Sequence, residues 1–180
     1  MAIVKPGGTN NPLESMSDKR ISDKILQYLN KQIQVEAIAS QTYLALSQWC
    51  KDIGYVGSGK WFETHSDEER KHMKLVYEYI LDRDELPATP EIPAPKKQNF
   101  STLLEVFEAA YEHEKMVTST YNKLVSLCNE EKDFMTLEFA LFFLKEQKEE
   151  EAKTKGYIDE LKLSGNDKYG AFLFDKEIMD

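Results

Sequence analysis

In the run DEERKHM (67–73), Glu69 and His72 are three residues apart and share one side of any helix that contains them. That spacing suits a metal ion, and the rest of the chain supplies partners for it. Alternating steps of three and four, the spacing of a buried seam, trace one line of inward positions along each helical stretch. The lines run Ile25, Leu29, Gln32, Glu36, Ala39, Tyr43, Leu46, Cys50; Phe62, His65, Glu69, His72, Val76, Tyr79; Leu103, Phe107, Ala110, Glu114, Val117, Tyr121, Leu124, Cys128; and Ala140, Phe143, Gln147, Glu150, Thr154, Tyr157, Leu161. Each carries a glutamate near its middle: Glu36, Glu69, Glu114 and Glu150. One such residue reads as a rim position that reaches solvent. Four at matching depth do not, because a buried unpaired carboxylate is costly and four together repel, so they must protonate or open the bundle. No Lys or Arg lies on these seams, and the imidazole of His72 cannot balance four charges. The missing positive charge must come from outside, and a pair of divalent ions supplies it. Oxygen-rich ligation with one imidazole fits iron or manganese better than structural zinc. Glu68 and Lys71 then face the neighbouring sides of the helix.

Four long helices must position these groups. The first is expected from about Ser17 to Lys51, ending where Gly54, Gly57 and Gly59 interrupt the pattern, and the second from about Lys60 to Leu81. The stretch DELPATPEIPAPKKQNF (84–100) carries four prolines and reads as an extended connector. Seventeen extended residues reach roughly 50 Å, about one long helix, so the third helix can start at the far end and run parallel to the second. Thr102 and Glu105 form a capping box that opens the third helix, which runs to about Leu127. The fourth spans about Glu131 to Leu163, is stopped by Ser164-Gly165-Asn166, and is followed by a short helix in YGAFLFDKEIM. The expected fold is all-α: a four-helix bundle with one long crossover between the second and third helices and a short fifth helix. Residues 1–16, rich in Gly, Pro and Asn, read as a flexible extension to a single domain over 17–180.

Composition narrows the function. A hydrophobic fraction of 41% with 31% charged residues describes a folded, soluble chain, and a net charge of −9 argues against nucleic acid as a partner. Cys50 and Cys128 make no CxxC pair, so free thiols in a reducing compartment are expected. MAIVKPGGTNNP lacks the apolar run of a signal peptide, no stretch is long enough to span a membrane, and the cytoplasm is the expected location.

QIQVEAIASQTY (32–43), DEERKHM, YEHE (111–114), KEQKEEE (145–151) and the terminal FDKE (174–177), taken together at these separations, resemble the non-haem bacterial ferritins over nearly the whole chain from Ser17. The resemblance implies a di-iron ferroxidase centre. Glu36, Glu69 and His72 would hold one iron, Glu69 would bridge to the second, and Glu114 and Glu150 would complete it. Gln147 would position water or donate a hydrogen bond, and Tyr43 matches the tyrosine beside the site. A third iron site adjacent to the pair would use Glu68, Glu146, Glu149 and Glu150. For Glu146 and Glu149 the run EQKEEE reads equally as a solvated face. The resemblance further implies Fe(II) and dioxygen or peroxide as substrates, storage of ferric mineral, and a homo-oligomeric shell of twenty-four subunits. Two features depart from the expected pattern: the N-terminal extension, and Phe142-Phe143 where some relatives carry Trp.

Of the other histidines, His65 reads as a satisfied core residue or as one that orients a ligand, and His113 as an exposed residue off the seam. Tyr79, Tyr121, Tyr157, Trp49 and Trp61 read as core. A haem-bearing relative would carry a second Glu-x-x-His in the fourth helix. Here the spacing gives Gln147-x-x-Glu150, so no haem is expected. The remaining alternatives are a di-iron oxidoreductase without a storage role and, from a different class, a metal-free helical scaffold.

Overall fold

The computed structural model describes residues 19–96, 98–165 and 167–178. The extension over 1–16 and the helix start expected near Ser17 lie outside these residues. The described chain forms five helices: α1 (Asp23–Ile53), α2 (Val56–Asp82), α3 (Leu103–Glu131), α4 (Phe134–Leu163) and α5 (Lys168–Glu177). α1 begins at Asp23 because the Ser22 hydroxyl accepts the Ile25 N–H (3.2 Å) and ends the non-helical run before it.

Only one of the three glycines expected to separate the first two helices does so. Gly54 takes φ 101° at the end of α1, and its N–H closes onto the Cys50 and Lys51 carbonyls. Gly57 and Gly59 lie inside α2, which starts at Val56 rather than near Lys60. A Cβ at Gly57 would sit 1.9 Å from the Asp175 carbonyl oxygen, so this glycine lets α5 approach. The Asp175 side chain, buried, accepts the N–H groups of Gly57 (3.1 Å) and Ser58 (2.7 Å). It thereby caps α2, whose own cap position, Tyr55, offers no side-chain acceptor.

The expected capping box opens α3: Thr102 Oγ1 accepts the Glu105 N–H (3.2 Å), while the Glu105 carboxylate reaches back to the Ser101 N–H (3.2 Å). α3 runs to Glu131, past the expected Leu127, and Lys132 turns the chain at φ 59°. Asp133 then caps α4 through the Thr136 N–H (3.0 Å).

Cross-links set the topology. Ser47 Oγ bonds the Gly59 carbonyl and Ser40 Oγ the Ser66 carbonyl, so α1 and α2 are antiparallel. Tyr43 meets Glu114 and Tyr121 meets Glu36, so α1 and α3 are antiparallel, and α2 and α3 are parallel as the long connector requires. That connector lies along α1, tied by Ala88 N–H to Asn30 Oδ1 (2.8 Å) and Gln34 Nε2 to the Glu91 carbonyl (2.9 Å).

The core is two apolar clusters rather than one. Ile25, Leu29, Ile33, Val76, Ile80, Leu124 and Phe143 fill one end of the bundle. Tyr43, Leu46, Phe62, Phe107, Ile158, Leu161 and Phe174 fill the other, where α5 closes it. Tyr121 is fully buried, whereas Tyr79, Tyr157, Trp49 and Trp61, read as core, are half-buried and pack on the cluster edges. Polar groups are gathered in the layer between the clusters. Among the described residues no helix is long and apolar enough to cross a membrane.

Candidate metal centre

α1 and α3 contribute Glu36 and Glu114 to this layer, and α2 and α4 contribute Glu69, His72, Gln147 and Glu150. Glu36, Glu69, Glu114 and Gln147 are buried; His72 and Glu150 are half-buried. Glu36, Glu69 and His72 bring ligand atoms within 4.8 Å of one another. His72 Nδ1 lies 3.4 Å from Glu69 Oε2, and the His72 ring stands edge-on to Phe143 at 5.5 Å.

Glu36 Oε1 accepts two hydrogen bonds, from Tyr121 Oη (2.6 Å) and Gln32 Nε2 (2.7 Å). Glu114 Oε1 accepts from Tyr43 Oη, and its Oε2 accepts from Gln147 Nε2 (2.7 Å). Glu36 Oε2, Glu69 Oε2, His72 Nδ1 and Glu150 Oε2 are buried without a hydrogen-bond partner. A buried acceptor without a donor costs about 1–3 kcal/mol, and more if it is charged. Four in one layer, all oxygen or imidazole nitrogen, are a donor set that hard or borderline cations fit.

The electrostatics point the same way. Burial and the charge of Glu69 push Glu36 well above the usual carboxylate range, although Tyr121 and Gln32 oppose the shift. Burial and the charge of Glu114 push Glu69 up to about 8. Burial also raises Glu114, with Tyr43 and Gln147 opposing. Buried together, these three carboxyls hold their protons more tightly than exposed ones do. Glu150 differs: burial pushes it up, but the His65 ring and the Lys153 ammonium together outweigh this and hold it below its ordinary value. Lys153, 3.3 Å from Glu150 Oε1, is a lysine that does reach a seam carboxylate, because Glu150 is only half-buried and meets it from the solvent side.

A second group joins His65, Glu68 and Glu150. The His65 ring stacks on Trp61 (centroids 3.6 Å apart), and its Nδ1 lies 2.9 Å from the Trp61 carbonyl, where it donates. Nε2 then points at Glu150 Oε2 (3.3 Å) and Glu68 Oε2 (3.8 Å). His65 is thus not a core histidine satisfied on both nitrogens: Nε2 has no hydrogen-bond partner. Glu149 is exposed and Glu146 half-buried, and neither falls in a convergent group among the described residues. His113, expected on the surface, is half-buried beside Tyr43, and burial lowers its pKa to about 4.

Sequence reasoning placed Glu36, Glu69, His72, Glu114, Glu150, Gln147 and Tyr43 in one layer and underread three residues. Gln32 and Tyr121 bond Glu36, and His65 faces Glu150. Tyr121 carried a visible signal: it follows Glu114 by seven residues, as Tyr43 follows Glu36.

Helices that cross-brace a buried layer of carboxylates and histidine define a metal-binding bundle of the carboxylate type. Residues 26–164 match the ferritin family, described as a ferritin-like domain, and the chain belongs to that family. It is 37% identical over 158 residues to the bacterial non-heme ferritin of Campylobacter jejuni, covering 88% of this chain and 94% of that one. Identity is 38% to the bacterial non-heme ferritin of Staphylococcus saprophyticus, over 88% of this chain and 94% of the relative. Among solved structures it resembles an open pore ferritin from the hyperthermophilic archaeon Archaeoglobus fulgidus, with a TM-score of 0.85 and 31% identity over 88% of this chain and 98% of that one.

Proposed function

We propose that this chain, an iron-storage protein by family, oxidises Fe(II) within the carboxylate layer and holds the ferric product inside an assembly of its own copies. The observation that carries the reading is the convergence of Glu36, Glu69 and His72, each of which also has a buried ligand atom (Oε2, Oε2 and Nδ1) without a hydrogen-bond partner. They would receive one Fe(II). Glu69 would bridge to a second, held also by Glu114 and Glu150, with Gln147 fixing Glu114 through its amide. Each Fe(II) gives up one electron; dioxygen with two protons takes both to become hydrogen peroxide, or peroxide with two protons becomes two waters. Anionic oxygen ligands stabilise the harder ferric ion, which favours the oxidation. His65, Glu68 and Glu150 are the better-supported members of a third iron position; Glu146 and Glu149 would join only by turning toward it. The assembly expected from the resemblance is a shell of twenty-four copies, and the free buried thiols of Cys50 and Cys128 suit the cytoplasm.

The test is stopped-flow absorbance after mixing Fe(II) with oxygenated protein. Replacing Glu69→Ala and His72→Ala together abolishes the fast oxidation phase while particle size and helical content persist. A fast phase unchanged in that variant contradicts the assignment.

A further inference from the structure

The centre is braced twice, by a crossed pair of identical motifs. On α1, Tyr43 follows Glu36 by seven residues and donates to Glu114 on α3. On α3, Tyr121 follows Glu114 by seven residues and donates back to Glu36 at 2.6 Å. Seven residues are two helical turns, so in an antiparallel pair each tyrosine stands opposite the other helix's glutamate. A glutamine completes each brace: Gln32 Nε2 to Glu36 and Gln147 Nε2 to Glu114, both at 2.7 Å. All six residues are buried.

The two halves differ in one respect. The donors to Glu114 occupy both of its oxygens, whereas both donors to Glu36 converge on Oε1 and leave Oε2 unpartnered. Gln32 cannot turn its amide over without loss, because its carbonyl oxygen would then face Glu36 Oε1 in place of the Nε2 donor. Tyr121 is held flat against Phe143 (centroids 4.8 Å, planes 7° apart), and Phe143 in turn meets the His72 ring. One tyrosine thus touches Glu36 directly and His72 through a single shared neighbour.

We propose that Tyr121, together with Gln32, is a positioning residue for one ion position, holding Glu36 by Oε1 so that Oε2 stays free for an ion shared with Glu69 and His72, as Tyr43 with Gln147 holds Glu114 for the other. Each ion position then has its own tyrosine, supplied by the helix across the bundle. The inference rests on the metal reading above and assigns a role to a residue that packing alone would class as core.

The experiment is anaerobic titration of the metal-free, full-length protein with Co(II), followed by calorimetry and visible absorption, in two backgrounds that each cripple one position. In Glu114→Gln, Tyr121→Phe weakens the remaining Co(II) binding by about tenfold or more, the usual consequence of removing a group that orients a ligand. In Glu36→Gln, Tyr121→Phe changes nothing. Tyr43→Phe gives the reverse pattern. Gln32→Leu, which removes the other donor, repeats the selectivity of Tyr121→Phe and serves in its place should that variant not assemble. Equal weakening in both backgrounds is general loosening of the bundle and overturns the proposal, as does no weakening in either. If neither Glu36→Gln nor Glu114→Gln alters Co(II) binding in the otherwise unchanged protein, the metal reading itself fails and takes the proposal with it.

Discussion

Glu69→Gln is expected to make the metal-free protein more stable at neutral pH while removing the proposed bridging ligand. The size of the effect follows from the Glu69 environment. Its pKa rises from 4.5 to about 8, because the carboxyl is buried and faces Glu114. The folded value lies above the unfolded one, so the folded chain binds the proton more tightly and stability falls as pH rises between the two. At pH 7 the folded carboxyl is protonated and the unfolded one ionised, a difference of about 3 kcal/mol at roughly 1.36 kcal/mol per pH unit. An amide of the same shape carries no such cost, so the variant gains up to about 3 kcal/mol at pH 7 and only about 0.8 kcal/mol at pH 5. For a chain of this size that is a rise in melting temperature of order 6–12 °C at pH 7. Differential scanning calorimetry of EDTA-treated wild type and variant at the two pH values measures it. A gain that is the same at both pH values, or a loss at pH 7, would refute the reasoning, since either means the carboxyl is not held in the folded state as a strained acid.

Three further outcomes are expected. Binding of Co(II) or Zn(II) at pH 7 releases about one proton or more per chain, because Glu69 and Glu36 must ionise to ligate; calorimetry in buffers of different ionisation enthalpy reads the number. Asp175→Ala removes the acceptor for two N–H groups at the start of α2 and loosens α5, costing about 1–3 kcal/mol, with faster hydrogen exchange at Gly57 and Ser58 as the signature. If a third metal equivalent binds, His65→Ala and Glu68→Gln each abolish it while Glu149→Gln leaves it in place, as counted by equilibrium dialysis.

The buried layer was legible because its residues break an otherwise apolar seam at matching depths, and the seam period is set by helix geometry alone. Helix ends were less legible where tertiary contacts set them. Gly57 and Gly59 look like helix breakers in a linear reading, yet the Asp175 carboxylate from α5, 117 residues beyond Ser58, caps α2 and turns Gly57 into a point of close approach. Helical periodicity in the sequence does not reveal the Ser22 cap, which starts α1 at Asp23. Lys153 escaped notice because it is off the seam and reaches Glu150 from outside. His65 lies on the seam, but nothing in its spacing reveals that Trp61 occupies one nitrogen and leaves the other facing two carboxylates. Tyr121 shows the limit from the other direction: the repeat Glu-x6-Tyr is plain on α1 and α3, but it becomes a crossed brace only once the two helices are known to be antiparallel neighbours.

The proposed function requires cations to gather in the layer between the two apolar clusters. Crystals soaked anaerobically in Fe(II) and measured at the iron absorption edge test this directly. Two anomalous peaks are predicted, one among Glu36, Glu69 and His72 and the other among Glu69, Glu114 and Glu150. Crystals in which these carboxylates keep their present hydrogen bonds, with no iron density between the helices, would contradict it.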